Sequence, residues 1–245
     1  RQLVAHLGAI DADVVLITGD LTAQALVPEF EEARRELQPL LDRFPVLVLP
    51  GNHDAYAPDA VREGRFRRAF GDWAGGEGPL SRLDHGELTI LGLDPCRPTM
   101  LTAAGEIPAE QKAALKEALA DPSLEGRTVV LGLHYPVVDR AGEPYVRPSH
   151  GLLDAPELIA LLDEAPMRPA LICCGHVHHG YRSAVRLSDG TAIPLSDCGS
   201  SGQTWQPSRG RYATCAAYDL DHNEVVGWHA YHHDGKGFVE QPASE

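Results

Sequence analysis

Two short stretches decide the fold: residues 16–22 read LITGDLT, and residues 48–54 read VLPGNHD. Each is a short apolar run that ends in glycine and polar residues. Apolar runs at 13–18, 46–49, 128–133 and 170–174 follow the same plan. Runs of this length are too short for helices and are typical of strands buried on both faces of a sheet. The sequence therefore predicts four buried strands, each followed by polar side chains.

The segments between and after these strands predict an α/β fold. Residues 28–44 and 108–120 have the apolar spacing or composition of helices. Two later pairs, 183–187 with 191–195 and 212–219 with 225–230, are typical of short extended segments. Strands that alternate with helices indicate sheets covered by helices. We therefore expect a β-sandwich of two sheets flanked by helices, as a single domain over residues 1–245, because no linker or repeat divides it.

The polar residues after the four strands are candidates for a metal site. In open α/β sheets, ligands bind beyond the carboxyl ends of the strands, so residues distant in sequence can meet in one cleft. Imidazole, carboxylate and amide groups suit Mn, Fe, Zn or Co better than Ca or an all-oxygen Mg site. The candidate ligands are Asp20, Asn52, His134, His176 and His178.

Taken one at a time, these residues have ordinary structural explanations. Asp20 could cap the next helix, GNHD could form a turn, and His134 could be a hydrogen-bonded core histidine. Their common position after strands favours a shared site instead. By contrast, His150 could reach a substrate but is more simply a surface-loop histidine, and Tyr135 has a similar standing, so we assign them no role.

The order of GD, GNHD, a lone histidine after a strand, and GHVH resembles the calcineurin-like metallophosphoesterase superfamily. The similarity is greatest to the branch of class III cyclic-nucleotide and glycerophosphodiester phosphodiesterases. It runs from about residue 13 to residue 178 and continues more weakly towards residue 219. The resemblance implies a four-layer α/β/β/α fold and a dinuclear centre of two divalent metal ions. It also implies hydrolysis of a phosphodiester or phosphomonoester by metal-bound hydroxide, with diesters preferred.

The resemblance also implies how the metal ligands are shared. Asp20 would bridge the two ions, because a carboxylate offers two oxygens. His178 would bind the first ion. Asn52, His134 and His176 would bind the second.

The same resemblance gives two residues of GNHD catalytic roles. His53 would stabilise the transition state or protonate the leaving oxygen, and Asp54 would orient His53 or hold its proton. A rival interpretation is a catalytically weak or silent scaffold for protein interaction, similar to the retromer subunit that keeps this fold. A metal-dependent hydrolase of other esters is a third interpretation.

One motif of the superfamily is missing from the sequence. No Asp-x-His triplet, which normally supplies two ligands of the first metal, occurs in the chain. The first residues have helical apolar spacing, so we expect the first strand of the fold to lie upstream of Arg1. Without that motif, the first metal site is expected to be weak.

Charge and composition restrict the partners. A net charge of -14 argues against stable binding to nucleic acid or to anionic membranes, which needs clustered Lys and Arg. The five cysteines form no disulfide framework, and no apolar run is long enough to span a bilayer. We therefore expect a cytoplasmic protein that acts on a small phosphorylated substrate; the sequence also allows a homo-oligomer.

Overall fold

The computed structural model describes residues 1–98 and 102–241. Its strands are β1 (Val15–Ile17), β2 (Val46–Val48), β3 (Ser81–His85), β4 (Leu88–Gly92), β5 (Thr128–Gly132), β6 (Leu171–Cys174), β7 (Tyr181–Arg186), β8 (Ala192–Asp197), β9 (Thr214–Asp221), β10 (Glu224–His233) and β11 (Phe238–Glu240). Its helices are α1 (Gln2–Leu7), α2 (Val27–Leu41), α3 (Pro58–Arg62), α4 (Arg65–Phe70), α5 (Ala109–Leu119) and α6 (Ala155–Glu164).

The strands form three hydrogen-bonded groups. The largest has the order β3-β4-β5-β6-β8-β7, in which β4, β5, β6 and β8 run parallel and the two outer strands run antiparallel. Strands β1 and β2 form a parallel pair, and β9, β10 and β11 form an antiparallel group. Every strand and helix predicted from the sequence is present, with ends that shift by a few residues.

The packing of these groups confirms the four-layer α/β/β/α arrangement. On one face of the six-stranded sheet, leucines of α5 and α6 such as Leu115 and Leu158 are fully buried. On its other face, Val130 and Leu171 pack with Leu47 of β2 and with Trp228 of β10. Helices α2 and α4 cover the far side of β1 and β2. Each fully buried leucine contributes about 2 kcal/mol of burial free energy, so these interfaces hold the layers together.

Strand β1 differs from its prediction. Val15–Ile17 is only partly buried, whereas Val46–Val48 of β2 is buried throughout. Among the described residues, β1 pairs with β2 alone, so its second edge carries no strand and its side chains stay partly exposed.

The loops after β1 and β2 approach each other closely. Gly19 has a φ of 99°, and a Cβ atom at this position would lie 2.4 Å from the backbone nitrogen of Gly51. Only glycine combines this conformation with this contact. The two glycines therefore bring the side chains that follow β1 and β2 together at one edge of the sandwich.

No helix in residues 1–98 and 102–241 combines the length and the apolar character that crossing a membrane requires.

Candidate metal centre

Four candidate ligands reach one cleft from the ends of four strands. Asp20 follows β1, Asn52 begins the short turn after β2, His134 follows β5, and His176 follows β6. The cleft has a volume of about 350 Å³. Its lining is formed by Asp20, Asn52, His53, Ala103, Tyr145, His150, His176, Val177 and His178.

The potential ligand atoms of these four residues converge tightly. Asn52 Oδ1 lies 3.0 Å from His134 Nε2 and 2.9 Å from His176 Nδ1. The two ring nitrogens are 3.2 Å apart, and His134 Nε2 lies 3.4 Å from Asp20 Oδ1. Ligand atoms held about 2.1 Å from one ion are separated from each other by about 3.0–3.4 Å. The observed spacing therefore fits a shared cation.

The other nitrogens of the two rings are bound to backbone carbonyls. His134 Nδ1 lies 2.7 Å from the Thr18 oxygen, and His176 Nε2 lies 2.8 Å from the His150 oxygen. A carbonyl can only accept, so these nitrogens carry the protons and leave His134 Nε2 and His176 Nδ1 as lone pairs in the neutral rings. In the neutral rings both lone pairs face the Asn52 oxygen, and a cation between these acceptors would remove their mutual repulsion. Carbonyl partners of this kind orient metal-binding histidines.

The charges around Asp20 also suit cation binding. Burial alone would raise the pKa of Asp20, but the nearby His134 and the His53 backbone outweigh it and bring the pKa to about 2. Burial opposes the charged form of His134, yet Asp20 raises the pKa of that ring. Burial, followed by the charge of His134, lowers the pKa of His176 to about 3, so His176 is neutral near pH 7.

His178 lies on the cleft wall but outside the tight group. It is exposed, and its backbone is left-handed, with a φ of 59°. Burial of part of the ring lowers its pKa, and the charge of Asp20 opposes that shift. The group of ligand atoms within 4.8 Å of one another contains Asp20, His134 and His176. The structure thus brings four of the five predicted ligands together and leaves His178 beside them.

His53 faces the cleft, and its ring is held by the loop after β1. Its backbone N–H donates to Asp20 Oδ1 at 3.0 Å, and its Nδ1 lies 2.8 Å from the Ala23 oxygen. The ring also stacks on Tyr56, with centroids 6.0 Å apart. Because Nδ1 is bound to a carbonyl, Nε2 is the nitrogen that remains for a substrate.

Asp54 has different partners from those expected. Its carboxylate accepts hydrogen bonds from the backbone N–H groups of Gly51, Leu21 and Thr22, at 2.9–3.1 Å, and from the Thr22 hydroxyl. Among the described residues, no hydrogen bond joins it to the His53 ring. The turn directs Asp54 inward, where it is buried, and His53 outward. Asp54 therefore ties the two loops together and acts on His53 through the backbone.

Sequence reasoning missed three residues at the cleft. His150 contributes its carbonyl oxygen to His176, which no side-chain pattern can reveal. Tyr145 lines the cleft beside it. Tyr135 is fully buried with its ring centroid 4.6 Å from that of His176, so it forms the wall behind this ligand.

A family model described as calcineurin-like phosphoesterase matches residues 1–180. The chain belongs to this family. The predicted recognition is thus confirmed, and membership implies divalent metal ions at the site where Asp20, His134 and His176 meet.

Relatives and solved structures agree with this assignment. The chain is 33% identical over 54 residues to a probable cyclic nucleotide phosphodiesterase of Vesicomyosocius okutanii subsp. Calyptogena okutanii (strain HA), and this match spans 22% of each protein. The chain therefore covers about a fifth of that relative.

Three solved structures share the fold at low sequence identity. PhoD has a TM-score of 0.60 and 12% identity, over 100% of this chain and 69% of PhoD. The purple acid phosphatase PPD1 from yellow lupin (Lupinus luteus) seeds has a TM-score of 0.56 and 14% identity, over 95% of this chain and 43% of the other. A dimetal phosphatase from Danio rerio has a TM-score of 0.55 and 13% identity, over 97% and 83%. These structures confirm the fold predicted from the sequence.

Proposed function

We propose that this chain is a metal-dependent phosphoesterase that hydrolyses phosphodiesters in preference to phosphomonoesters. The observation that carries the proposal is the convergence of His134 Nε2 and His176 Nδ1 with the oxygens of Asn52 and Asp20. The preference for diesters rests on the resemblance to phosphodiesterases and on the related probable cyclic nucleotide phosphodiesterase.

The proposed centre holds two divalent ions from the set Mn, Fe, Zn and Co, which suit mixed nitrogen and oxygen ligands. Asn52, His134 and His176 would bind one ion, His178 would bind the other, and Asp20 would contact both. When bound, such ions supply positive charge to phosphoryl oxygens and lower the pKa of a coordinated water molecule. In a chain with a net charge of -14, this local positive charge would attract a small phosphorylated substrate.

His53 is the proposed proton donor to the leaving oxygen. Its Nδ1 proton is held by the Ala23 carbonyl, which also stabilises the ring when Nε2 carries a proton. Nε2 of the protonated ring can then donate to a leaving oxygen in the cleft. Asp54 fixes the turn that carries His53, so its proposed role is to position the ring.

We also propose that residues 1–245 act as one domain, either as a monomer or as a homo-oligomer. Neither nucleic acid nor a membrane is a stable partner in this proposal.

Metal content and turnover of two histidine variants test the roles. In His176→Ala we expect metal occupancy to fall, because a ligand is lost. In His53→Ala we expect most metal to stay bound while turnover falls by about 10²–10⁴-fold, the usual contribution of a proton donor. The measurements are elemental analysis and hydrolysis of bis(p-nitrophenyl) phosphate and p-nitrophenyl phosphate.

His85→Ala is a matched control. His85 is exposed and pairs with Leu88, the first residue of β4, so it lies at the end of the sheet opposite the cleft. We expect wild-type metal content and turnover in this variant. Equal metal loss in His176→Ala and His53→Ala would overturn the roles given to these residues.

The scaffold alternative has one observation in its favour, which is the position of His178 outside the tight group. A wild-type protein that binds metal but hydrolyses neither ester would support the scaffold and reject the enzyme.

A further inference from the structure

The cleft at the proposed metal centre has two chemically different halves. The proposed ligands and His53 form a polar half. Ala103, Tyr145 and Val177 form an apolar half, and the exposed His150 lies beside Tyr145. Apolar and aromatic side chains in a ligand cleft contact the organic part of the ligand, whereas a few polar groups fix its orientation. We call Tyr145 and His150 the aromatic wall.

The aromatic wall lies across the His176 ring from His53. The two nitrogens of that ring point away from each other: Nδ1 lies 2.9 Å from Asn52 Oδ1, and Nε2 lies 2.8 Å from the His150 carbonyl oxygen. Asn52 is followed directly by His53 in the same short turn. His53 therefore lies on the Asn52 side of the proposed metal centre, and the aromatic wall lies on the other side.

The loop that carries the aromatic wall is held by its own contacts. The Tyr145 N–H donates to the Val137 oxygen at 2.9 Å, and the Tyr145 oxygen accepts from the Leu152 N–H at 3.0 Å. The Tyr145 and His150 rings meet edge to face, with centroids 5.9 Å apart and planes at 71°. The Arg147 guanidinium lies 5.9 Å from the centroid of the Tyr145 ring. A wall fixed in this way loses little conformational entropy when a ligand binds.

We propose that the aromatic wall binds the organic group that stays on the phosphorus of a phosphodiester, and that this group is an aryl or nucleoside group with a flat ring. The inference rests on the proposed function. Because His53 serves the leaving oxygen, the leaving group lies on the His53 side and the retained group faces Tyr145 and His150. A flat ring packs well against such rings.

The reaction explains why the wall favours diesters. The oxygen of one water molecule joins phosphorus, and the bond to the leaving oxygen breaks. That oxygen takes a proton from His53, which regains one from the water, and the retained group stays on the product. A monoester has a bare oxygen in place of the retained group, so it makes no contact with the wall.

The test compares kcat/KM of wild type and Tyr145→Ala on three esters with one leaving group, p-nitrophenol. Bis(p-nitrophenyl) phosphate retains an aryl group, ethyl p-nitrophenyl phosphate retains an ethyl group, and p-nitrophenyl phosphate retains none. We expect a loss of about 5–100-fold on the first ester, the usual effect of removing a stacking partner. The other two offer the wall no ring and should lose less than about threefold. The loss should lie mainly in KM, since the wall binds the retained group before and during the reaction.

Tyr212→Ala is the matched control. Tyr212 is also half-buried and meets a histidine, His232, edge to face at 5.6 Å, but it is not among the described residues that line the cleft. We expect wild-type kcat/KM on all three esters. Tyr145→Phe keeps the ring and should recover most of the loss on the bis-aryl ester. His150→Ala keeps the backbone oxygen that holds His176, and it should lower kcat/KM on the bis-aryl ester alone.

Two further measurements separate the wall from general damage. Elemental analysis should show wild-type metal content in Tyr145→Ala, and if this variant does not fold, Tyr145→Leu, which is apolar but has no ring, decides the question. With Mn²⁺ present, calorimetry should show weaker binding of phenylphosphonate by the variant and unchanged binding of methylphosphonate, which needs no turnover.

Three results would overturn the inference and leave the proposed function standing: an equal loss on all three esters, no loss on any of them, or an equal loss on the two diesters. A wild-type protein that hydrolyses none of the three would reject the proposed function, and the inference with it.

Discussion

The contact between Asp20 and His134 makes a quantitative prediction about the metal-free protein. Asp20 Oδ1 lies 3.4 Å from His134 Nε2, and the two side chains are 20% and 2% exposed. Asp20→Asn keeps the shape of the side chain and removes its charge. We expect this variant to be less stable than the wild type wherever the carboxylate is ionised and the imidazole is protonated.

The magnitude follows from the shift at Asp20. Its pKa falls from 3.8 to about 2, a difference that corresponds to about 2 kcal/mol of unfolding free energy. Because the folded-state pKa is depressed, this stabilisation is present above pH 3.8 and is lost as the pH falls through about 2. The pKa of His134 is raised from 6.5, so its share is present below pH 6.5 and is lost as the pH rises through the folded value.

The assay is urea unfolding of metal-stripped wild type and Asp20→Asn across this pH range. The difference in unfolding free energy should be largest between pH 4 and 6.5 and should shrink by about 2 kcal/mol towards pH 2. Comparing two variants cancels the contribution of distant carboxylates. A difference that stays constant from pH 2 to pH 6 would refute the ion pair.

Three further substitutions test the loops. Gly51→Ala should abolish metal binding, measured by elemental analysis, because its Cβ would lie 2.2 Å from both the backbone nitrogen and Oδ1 of Asp20. Asp54→Ala should lower the unfolding free energy, measured in urea, by about 3 kcal/mol or more, because several buried donors lose their acceptor. His178→Gly should be about 1 kcal/mol more stable than His178→Ala, since glycine accepts the left-handed backbone at this position. Both variants should lose the same amount of bound metal, because both lack the imidazole. Equal stability of the two variants would argue against backbone strain at residue 178.

Two features of the sequence predict most of this site: the type of each side chain and its position directly after a strand. Asp20, Asn52, His134 and His176 are found together because each follows a strand, and the carboxyl ends of those strands meet at one edge. Apolar runs flanked by glycine are a local signal. The pattern of these runs along the chain therefore predicts that the residues following them share one cleft.

Other features of the site have no local signal. The oxygen that orients His176 belongs to the backbone of His150, and every residue has such an oxygen. The end of β8 at Asp197 lies against the turn of residues 175–180 only because β8 inserts between β6 and β7, an order that differs from the order along the chain. Asp54 bonds the loop after β1 because two glycines allow the loops to touch. These contacts depend on tertiary arrangement, which hydrophobic periodicity does not encode.

The backbone around the proposed ligands shows how stability and function oppose each other here. Asp20, His176 and His178 all have positive φ values, of 59°, 76° and 59°. Each costs about 1–2 kcal/mol relative to a relaxed conformation, and glycine would avoid that cost but could not bind an ion. Buried leucines such as Leu115 and Leu158 offset it from the helix-covered face of the sheet. A cation among these side chains would stabilise the same conformations, because it binds the folded chain more tightly than the unfolded one. Metal binding would therefore offset part of the stability that the strained turns cost.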